Sequence, residues 1–196
     1  DIPPNNPPVM EAIADTTTAE DTPLIIMLSA SDVDGDVLTF SAVSDTNAVA
    51  VLIDNATLTL TPVENWNGTA NIMVIVSDGE LEDSDVFVLT VVPVNDSPVM
   101  EAIADATTSE DTPLTVTLSA SDVDGDILIY SSVSDTSAVI ISILGDQLTM
   151  APATDWNGTA NITVTVSDGE LEDSDVFVLT VVPVNDSPVM EAIADA

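Results

Sequence analysis

The sequence predicts an all-β protein made of two tandem Greek-key β-sandwich domains of about seven strands each. Three observations predict this class: apolar residues alternate with polar ones over short segments, turn-forming dipeptides separate those segments, and the pattern recurs every 90 residues. With 45% hydrophobic residues, the 196-residue chain can bury a core despite its acidity. No stretch shows the apolar period of a helix.

Strict alternation of apolar and polar residues predicts two strands most firmly, Leu114–Ala120 and Ala160–Val166, each with a counterpart 90 residues earlier. Shorter β-branched segments predict the others, which in the numbering of the first copy are Val9–Ala14, Val37–Val43, Ala48–Ile53, Ala56–Thr61 and Asp85–Val94. The breaks are Thr-Pro, Asp-Gly, Asn-Gly and Asn-Asp-Ser-Pro, all of which have turn chemistry.

The repeat runs through the chain without an insertion. Trp66–Ala106 and Trp156–Ala196 are identical at all but two of 41 positions, where Met73 and Ile75 become Thr in the second copy. A unit of about 90 residues is large enough to be a domain. We therefore expect repeat 1 at residues 1–95, repeat 2 at 96–185, and a linker with the first strand of a third repeat, or a neighbour contact, at 186–196.

The charge balance excludes several classes of function. The chain has 35 Asp and Glu and no Lys, Arg, His or Cys, which gives a net charge of −35. Without basic side chains it cannot neutralise phosphates, so neither a nucleic acid nor an anionic membrane is an expected partner. It has no imidazole base and no thiolate nucleophile, and its carboxylates form no distinctive catalytic pair. No apolar run approaches the length of a membrane helix. We therefore predict a protein that is not an enzyme and does not insert into a membrane.

The carboxylates point instead to a bound metal ion. Asp32, Asp34 and Asp36 fall within five residues, and the same pattern recurs 90 residues later. Alternate residues of an extended segment point the same way, so these three carboxylates are expected to share a face. Like charges at this spacing repel, and no base is available to relieve them. Calcium, which accepts six to eight oxygen ligands in irregular geometry, ranks ahead of magnesium. The alternative is a solvated acidic loop.

Five motifs occur in the same order in both copies. In repeat 2 they read Ser-Glu110-Asp-Thr-Pro-Leu, Ala-Ser-Asp122-Val-Asp124-Gly-Asp126, Trp156-Asn-Gly-Thr-Ala, Val-Ser-Asp168-Gly and Val-Asn185-Asp186-Ser-Pro188. This series resembles the cadherin-like and Ig-like tandem repeats of giant bacterial and archaeal surface proteins. The resemblance implies an extracellular array, calcium at the junctions between domains, and a role in adhesion or in fibres. Two departures are a linker shorter than that of cadherins and the absence of an Asp-Arg-Glu motif.

The resemblance also implies a set of calcium ligands. For the junction of repeats 1 and 2 they are Glu20, Asn95, Asp96, Asp122, Asp124 and Asp168. Shifted back by 90 residues, the set becomes Asn5, Asn6, Asp32, Asp34 and Asp78; shifted forward, it becomes Glu110, Asn185 and Asp186. Glu64 and Asp155 are weaker candidates, and a solvated hairpin is expected to carry Glu80, Glu82, Asp83 and Asp85.

Differences between the repeats mark a candidate interface. Ile25, Met27, Met73 and Ile75 are predicted to point outward, and all four are Thr in repeat 2. Because contiguous exposed apolar residues usually mark interfaces, we expect these side chains to be buried against another chain or another repeat in an assembled form. The alternative is drift among residues that a solvent-facing strand tolerates.

These observations predict a calcium-stiffened extracellular structural repeat of a surface fibre or adhesin stalk, which associates with itself end to end into a filament or longer array. Two alternatives stay open: a glycan- or protein-binding adhesin module that contacts the cell surface, and a repeat scaffold attached to a catalytic domain outside this chain.

Trp66 and Trp156 could stack on a sugar, although rings packed over the edge of the sandwich are favoured. Residues 183–196 repeat 93–106 and are expected to continue into a third repeat or to contact a following subunit.

Overall fold

A computed structural model of the chain describes residues 4–188. Strands and loops make up this part of the chain, which divides into two units, Asp1–Val94 and Asn95–Ala196. None of the described residues belongs to a helix long and apolar enough to cross a membrane.

Unit 1 contains nine strands. They are β1 (Val9–Met10), β2 (Thr16–Ala19), β3 (Leu24–Met27), β4 (Ala30–Ser31), β5 (Thr39–Ser44), β6 (Val49–Asp54), β7 (Thr57–Pro62), β8 (Gly68–Ser77) and β9 (Glu82–Val92). A four-stranded sheet has the order β2-β9-β8-β5, a three-stranded sheet the order β3-β7-β6, and β1 pairs with β4. The pairing is antiparallel throughout, except that β2 runs parallel to β9.

Unit 2 repeats this arrangement 90 residues later. Its strands are β10 (Val99–Met100), β11 (Ala106–Ser109), β12 (Leu114–Thr117), β13 (Ala120–Ser121), β14 (Ile129–Ser134), β15 (Val139–Leu144), β16 (Gln147–Pro152), β17 (Gly158–Ser167) and β18 (Glu172–Val182). The sheets have the orders β11-β18-β17-β14, β12-β16-β15 and β10-β13. The predicted fold class, two tandem β-sandwich domains, is confirmed.

Each core lies between the four-stranded and three-stranded sheets of its unit. In unit 1, Leu58 and Leu60 of β7 share one buried cluster with Ile72 of β8 and Phe87 of β9. Alternation along β8 and β9 places every second residue in that cluster and the others on the outer face. Trp66 packs against the same cluster, as the structural interpretation of this residue predicted.

Several predicted strand bounds are wrong. Of Val9–Ala14, only Val9–Met10 is a strand, and β2 follows it where the Thr-rich sequence shows no alternation. The predicted Leu114–Ala120 strand divides into β12, which pairs with β16, and β13, which pairs with β10. Within residues 4–188, each unit therefore shows nine short strands instead of about seven.

The expectation that Asp83 and Asp85 lie on a solvated hairpin is also wrong. Both belong to β9 and are half-buried, whereas Glu80 and Glu82 are exposed as expected. Oδ2 of Asp83 accepts the N–H of Met10 at 2.8 Å, and Oδ2 of Asp85 accepts the N–H of Ile13 at 2.6 Å. The two carboxylates therefore hold the first segment of the unit against β9.

Candidate metal sites

The side chain of Asp32 organises the acidic loop that follows β4. Its Oδ1 accepts three backbone N–H groups, from Asp34 at 2.8 Å, Gly35 at 2.9 Å and Asp36 at 3.3 Å. The loop is therefore a tight turn, and the expectation of an extended segment is wrong. The turn still gathers the three carboxylates, because oxygens of Asp32, Asp34 and Asp36 lie within 4.8 Å of one another.

Unit 2 contains the same loop. Oδ1 of Asp122 accepts the N–H groups of Asp124 at 2.9 Å, Gly125 at 3.0 Å and Asp126 at 3.3 Å. The three Asp carboxylates of this loop also lie within 4.8 Å of one another. The two repeats therefore form the same turn from the same sequence. In each turn, a single oxygen of the first Asp accepts all three backbone bonds.

Whether these loops fit a cation depends on the second carboxylate oxygen of the first Asp in each loop, Asp32 or Asp122. Oδ2 of Asp32 and Oδ2 of Asp122 are buried, and neither has a hydrogen-bond partner among residues 4–188. A buried anionic oxygen without a partner is strongly disfavoured, and the chain has no basic side chain to supply one. Each leading Asp also has a carboxylate oxygen within 4.8 Å of oxygens of two further carboxylates. The donor set, oxygens alone, fits a hard cation such as calcium.

The Asn-Asn segment at the start of unit 1 is joined to this loop. The backbone N–H of Asn6 donates to Oδ2 of Asp34 at 2.8 Å, and the Asn6 amide donates to the same oxygen at 3.0 Å. The amide of Asn5 donates to Oδ2 of Asp78 at 3.0 Å. The structure therefore pairs Asn6 with Asp34 and Asn5 with Asp78, and all four residues belong to the ligand set that the resemblance implies.

The corresponding segment of unit 2 makes the same contacts. The N–H of Asp96 donates to Oδ2 of Asp124 at 2.8 Å, and the amide of Asn95 donates to Oδ2 of Asp168 at 2.9 Å. Four of the ligands implied for this junction thus lie side by side within one unit.

Asp78 and Asp168 are held in their charged forms. Oδ1 of Asp78 accepts the N–H groups of Leu81 and Glu80, each at 2.7 Å, and these bonds lower the pKa of Asp78 below its usual value. In unit 2, backbone bonds from Leu171 and Glu170, followed by the Asn95 amide, lower the pKa of Asp168 in the same way. Both carboxylates are therefore ionised at neutral pH.

The opposite end of unit 2 contains a buried carboxylate. Glu110 is 5% exposed, its Oε1 accepts the N–H of Val184 at 2.6 Å, and its Oε2 accepts a long 3.4 Å bond from the amide of Asn157. Glu20 of unit 1 is 3% exposed and makes the matching bonds to Val94 and Asn67.

Three more carboxylates gather in unit 2 near Glu110. Oxygens of Asp111, Asp155 and Asp186 lie within 4.8 Å of one another. The charge of Asp155, followed by burial and the charges of Glu110 and Asp111, raises the pKa of Asp186 above its usual value. Asp186 was predicted as a ligand and Asp155 as a weaker one. Asn185 was also predicted as a ligand, and its side-chain amide donates to the carbonyl of Asp186 at 3.4 Å.

Sequence reasoning missed Asp111 and its counterpart Asp21. Each has a left-handed backbone, with φ of 60° and 56°, and each accepts a backbone N–H through Oδ1, from Asp155 at 3.1 Å and from Asn65 at 2.9 Å. The available signal was the Glu-Asp pair that occurs in both repeats. Glu64, the weaker candidate of unit 1, is exposed, and the neighbouring Asn65 takes the place that Asp155 has in unit 2.

The two-unit fold has a counterpart among known protein families. The model of the cadherin-like domain matches residues 4–92 and again residues 94–182. The chain belongs to the cadherin-like domain family. The resemblance predicted from its five motifs is thereby confirmed.

Relatives of this cadherin-like chain include larger proteins. It is 32% identical over 143 residues to chitinase A of Pseudoalteromonas piscicida, a match that covers 71% of this chain and 17% of the chitinase. The chain therefore spans less than a fifth of the length of that relative.

Two solved structures are similar to this chain at low sequence identity. Human protocadherin-24 EC1-2 (form II) is 17% identical with a TM-score of 0.56, and the match covers 92% of this chain and 99% of that one. The endo-fucoidan hydrolase MfFcnA4 of glycoside hydrolase family 107 is 21% identical with a TM-score of 0.39, over 91% of this chain and 29% of that one. At these identities the protocadherin likeness shows the fold alone.

Proposed function

We propose that this cadherin-like chain is a calcium-binding structural repeat of an extracellular surface protein. One observation carries the proposal: in both units a buried carboxylate oxygen, Oδ2 of Asp32 or of Asp122, has no partner within residues 4–188, and its residue belongs to a cluster of three carboxylates. The chain has 35 acids and no basic side chain, so a cation from solution is the partner that balances the charge of such a cluster.

In this proposal each leading Asp has two tasks. Oδ1 fixes the turn by accepting three backbone N–H groups, and Oδ2 is left for the ion. In unit 1, Asp34 and Asp36 supply further oxygens, and Asn5 and Asp78 complete the acidic end of the unit. Irregular carboxylate sites of this kind favour calcium over magnesium, which requires a near-ideal octahedron.

Thermal unfolding with and without calcium tests the proposal. A ligand present at 100 times its dissociation constant stabilises the folded state by ~2.7 kcal/mol, so excess calcium is expected to raise the melting temperature above its value in EGTA. Magnesium is expected to raise it less. An unchanged melting curve across calcium and EGTA would contradict the proposal.

Two double variants distinguish calcium binding at the Asp32 and Asp122 loops from a general effect of the negative charge of the chain. Asp32→Asn with Asp122→Asn keeps the acceptor for the loop N–H groups but replaces the metal-facing oxygen by an amide NH₂, which cannot bind a cation. Asp54→Asn with Asp146→Asn removes the same charge from exposed hairpin ends. The first pair is expected to lose most of the calcium-dependent shift, and the second pair is expected to keep it.

We further propose that calcium stiffens the connection between successive repeats, which array end to end in a fibre or adhesin stalk at the cell surface. The family membership and the acidic residues at the ends of each unit support this proposal. Small-angle scattering is expected to give a narrower range of molecular dimensions in calcium than in EGTA. Residues 189–196, on which the predicted end-to-end contact depends in part, lie outside the described residues.

The match to part of chitinase A favours a second candidate function, in which the repeats are a spacer beside a catalytic domain in a longer protein. A spacer has no affinity for the substrate of its neighbouring domain. Retention of the purified chain on chitin beads would instead favour a carbohydrate-binding module.

A further inference from the structure

An apolar row crosses the outer face of the four-stranded sheet of unit 1. Val43 of β5 pairs with Met73 of β8, which pairs with Val86 of β9. The three side chains are 51%, 38% and 56% exposed, respectively. They line an open pocket of 340 Å³ together with Ser44, Asp45 and Asn71.

A fixed carboxylate stands at the rim of this pocket. Oδ1 of Asp45 accepts the backbone N–H of Asn71 at 3.0 Å, and Oδ2 accepts the Asn71 side-chain amide at 2.6 Å. These bonds from Asn71 lower the pKa of Asp45 below its usual value. The pocket therefore combines an apolar floor with an immobile negative charge.

The charge of the molecule decides what kind of surface can cover this row. With 35 acids and no base, a second copy of the chain would bring carboxylates against carboxylates. A positively charged partner is attracted by the whole molecule and by Asp45 in particular. We propose that the pocket docks an apolar side chain of a cationic peptide segment that belongs to another protein.

Repeat 2 is a natural control for this proposal. Val133, Asp135 and Val176 occupy the corresponding positions, and Asn161 makes the same bonds to Asp135 at 3.0 and 2.6 Å. The one change in the row is at its centre, where Thr163 replaces Met73. Met is long, flexible and suited to varied apolar partners, whereas Thr presents a hydroxyl. The site is therefore assigned to repeat 1.

Calorimetric titration of the full chain with synthetic peptides tests the assignment. The probe is an eight-residue peptide that alternates Lys and Leu, compared with Lys-Ser and Glu-Leu peptides of equal length, at about 0.15 M salt to screen long-range attraction. The Lys-Leu peptide is expected to bind one site per chain, at least tenfold more tightly than either comparison peptide. Equal affinity for Lys-Leu and Lys-Ser would overturn the proposal, because it would show attraction by charge alone.

Three variants locate the site. Met73→Thr, a residue that repeat 2 tolerates, is expected to reduce Lys-Leu binding to the Lys-Ser value, whereas Met27→Thr on the other sheet leaves it unchanged. Thr163→Met is expected to raise the number of sites from one to two, which keeps the test decisive even if Met73→Thr perturbs the fold. Unchanged binding by Met73→Thr, or one site in Thr163→Met, would refute the assignment. Self-association in sedimentation that Met73→Thr abolishes would show a second copy to be the occupant instead.

Discussion

Gly68 lies where a side chain would fit against the indole of Trp66 only if the indole shifted by a few tenths of an ångström. Its φ is 149°, and a Cβ built on it would lie 3.0 Å from Cζ2 of Trp66. Gly158 has the same relation to Trp156, at 3.1 Å. The Trp-Asn-Gly motif is thereby explained by packing at the start of β8 and β17.

We expect Gly68→Ala to destabilise unit 1 by about 1–3 kcal/mol from backbone strain, with the contact to Trp66 adding to that cost. Gly145→Ala is the control, because Gly145 also has a positive φ, of 61°, but faces open space. Urea unfolding measures both. A Gly68→Ala cost no larger than that of Gly145→Ala would show that the indole moves aside freely.

Ser132 places a buried hydroxyl in the core-facing row of β14. Its Oγ has no hydrogen-bond partner among the described residues, whereas repeat 1 has Ala42 at this position. Leaving a buried hydroxyl unpaired costs about 1–3 kcal/mol. Ser132→Ala is therefore expected to raise the unfolding free energy by about 1 kcal/mol, and Ala42→Ser to lower it by a similar amount. A destabilising Ser132→Ala would mean that a water molecule satisfies the hydroxyl.

At the scale of single residues, the sequence predicted most members of the acidic clusters but not the backbone geometry that brings them together. Asp32, Asp34 and Asp36 were predicted to gather by strand alternation, and they gather through a turn around Asp32. Asp111 was missed because its place in the cluster depends on a left-handed backbone and a bond from Asp155, 44 residues away. Neither feature leaves a local pattern.

Among the elements, the first segment of each unit depends on carboxylates of its own sandwich. Asp83 and Asp85 accept the N–H groups of Met10 and Ile13, and in return Oδ1 of Asp15 accepts the N–H of Val88 at 2.8 Å. Asp173, Asp175 and Asp105 do the same in unit 2. Side-chain oxygens therefore bond this segment to β9, whereas β1 keeps a backbone ladder with β4.

This arrangement predicts that acid weakens the first segment. The bond from the N–H of Met10 is the main cause that lowers the pKa of Asp83, so the folded state binds fewer protons than the unfolded chain. The stabilisation is therefore present above the unfolded pKa of about 3.9 and is lost as the pH falls through the folded pKa. Amide exchange of Met10, corrected for its intrinsic rate, is expected to become faster below pH 4 relative to the Leu89 amide. Equal protection of Met10 at pH 3 and pH 7 would contradict this.

The first segment of unit 1 also shows why the strand predicted at Val9–Ala14 is shorter in the structure. Alternation identified β17 because its inward residues are apolar and its outward residues polar, and β8 followed as its counterpart 90 residues earlier, although Met73 and Ile75 stand at outward positions there. The expected strand Val9–Ala14 ends at Met10, where the pairing with β4 stops, and the N–H of Ile13 bonds to Asp85, 72 residues away in sequence. That contact is a tertiary effect, and the local sequence does not show it.

For the whole molecule, the 90-residue repeat is the feature that made the fold predictable from the sequence. The repeat, its period and the sandwich class followed from the sequence, because a 90-residue repeat preserves the core pattern in both copies. The exposed apolar residues were also predicted in part: Ile25, Met27 and Met73 are 64%, 71% and 38% exposed, whereas Ile75 is half-buried. Their burial in an assembly stays a prediction.

In the absence of divalent ions, a net charge of −35 is expected to destabilise the folded state by self-repulsion. Raising the sodium chloride concentration in EGTA should therefore raise the melting temperature gradually, because salt screens exposed charges. Calcium should raise it at far lower concentration, since it binds at defined sites. Equal effects of the two salts at equal ionic strength would indicate screening alone.

Calcium titration calorimetry of the full chain tests whether the Asp32 and Asp122 loops bind calcium. Extracellular calcium modules have dissociation constants of about 10⁻⁴–10⁻³ M, so a titration to about 10 mM covers the expected range. We predict saturable calcium binding that Asp32→Asn with Asp122→Asn weakens at least tenfold and that Asp54→Asn with Asp146→Asn leaves intact. No saturable binding over this range, or equal loss in the two double variants, would contradict it.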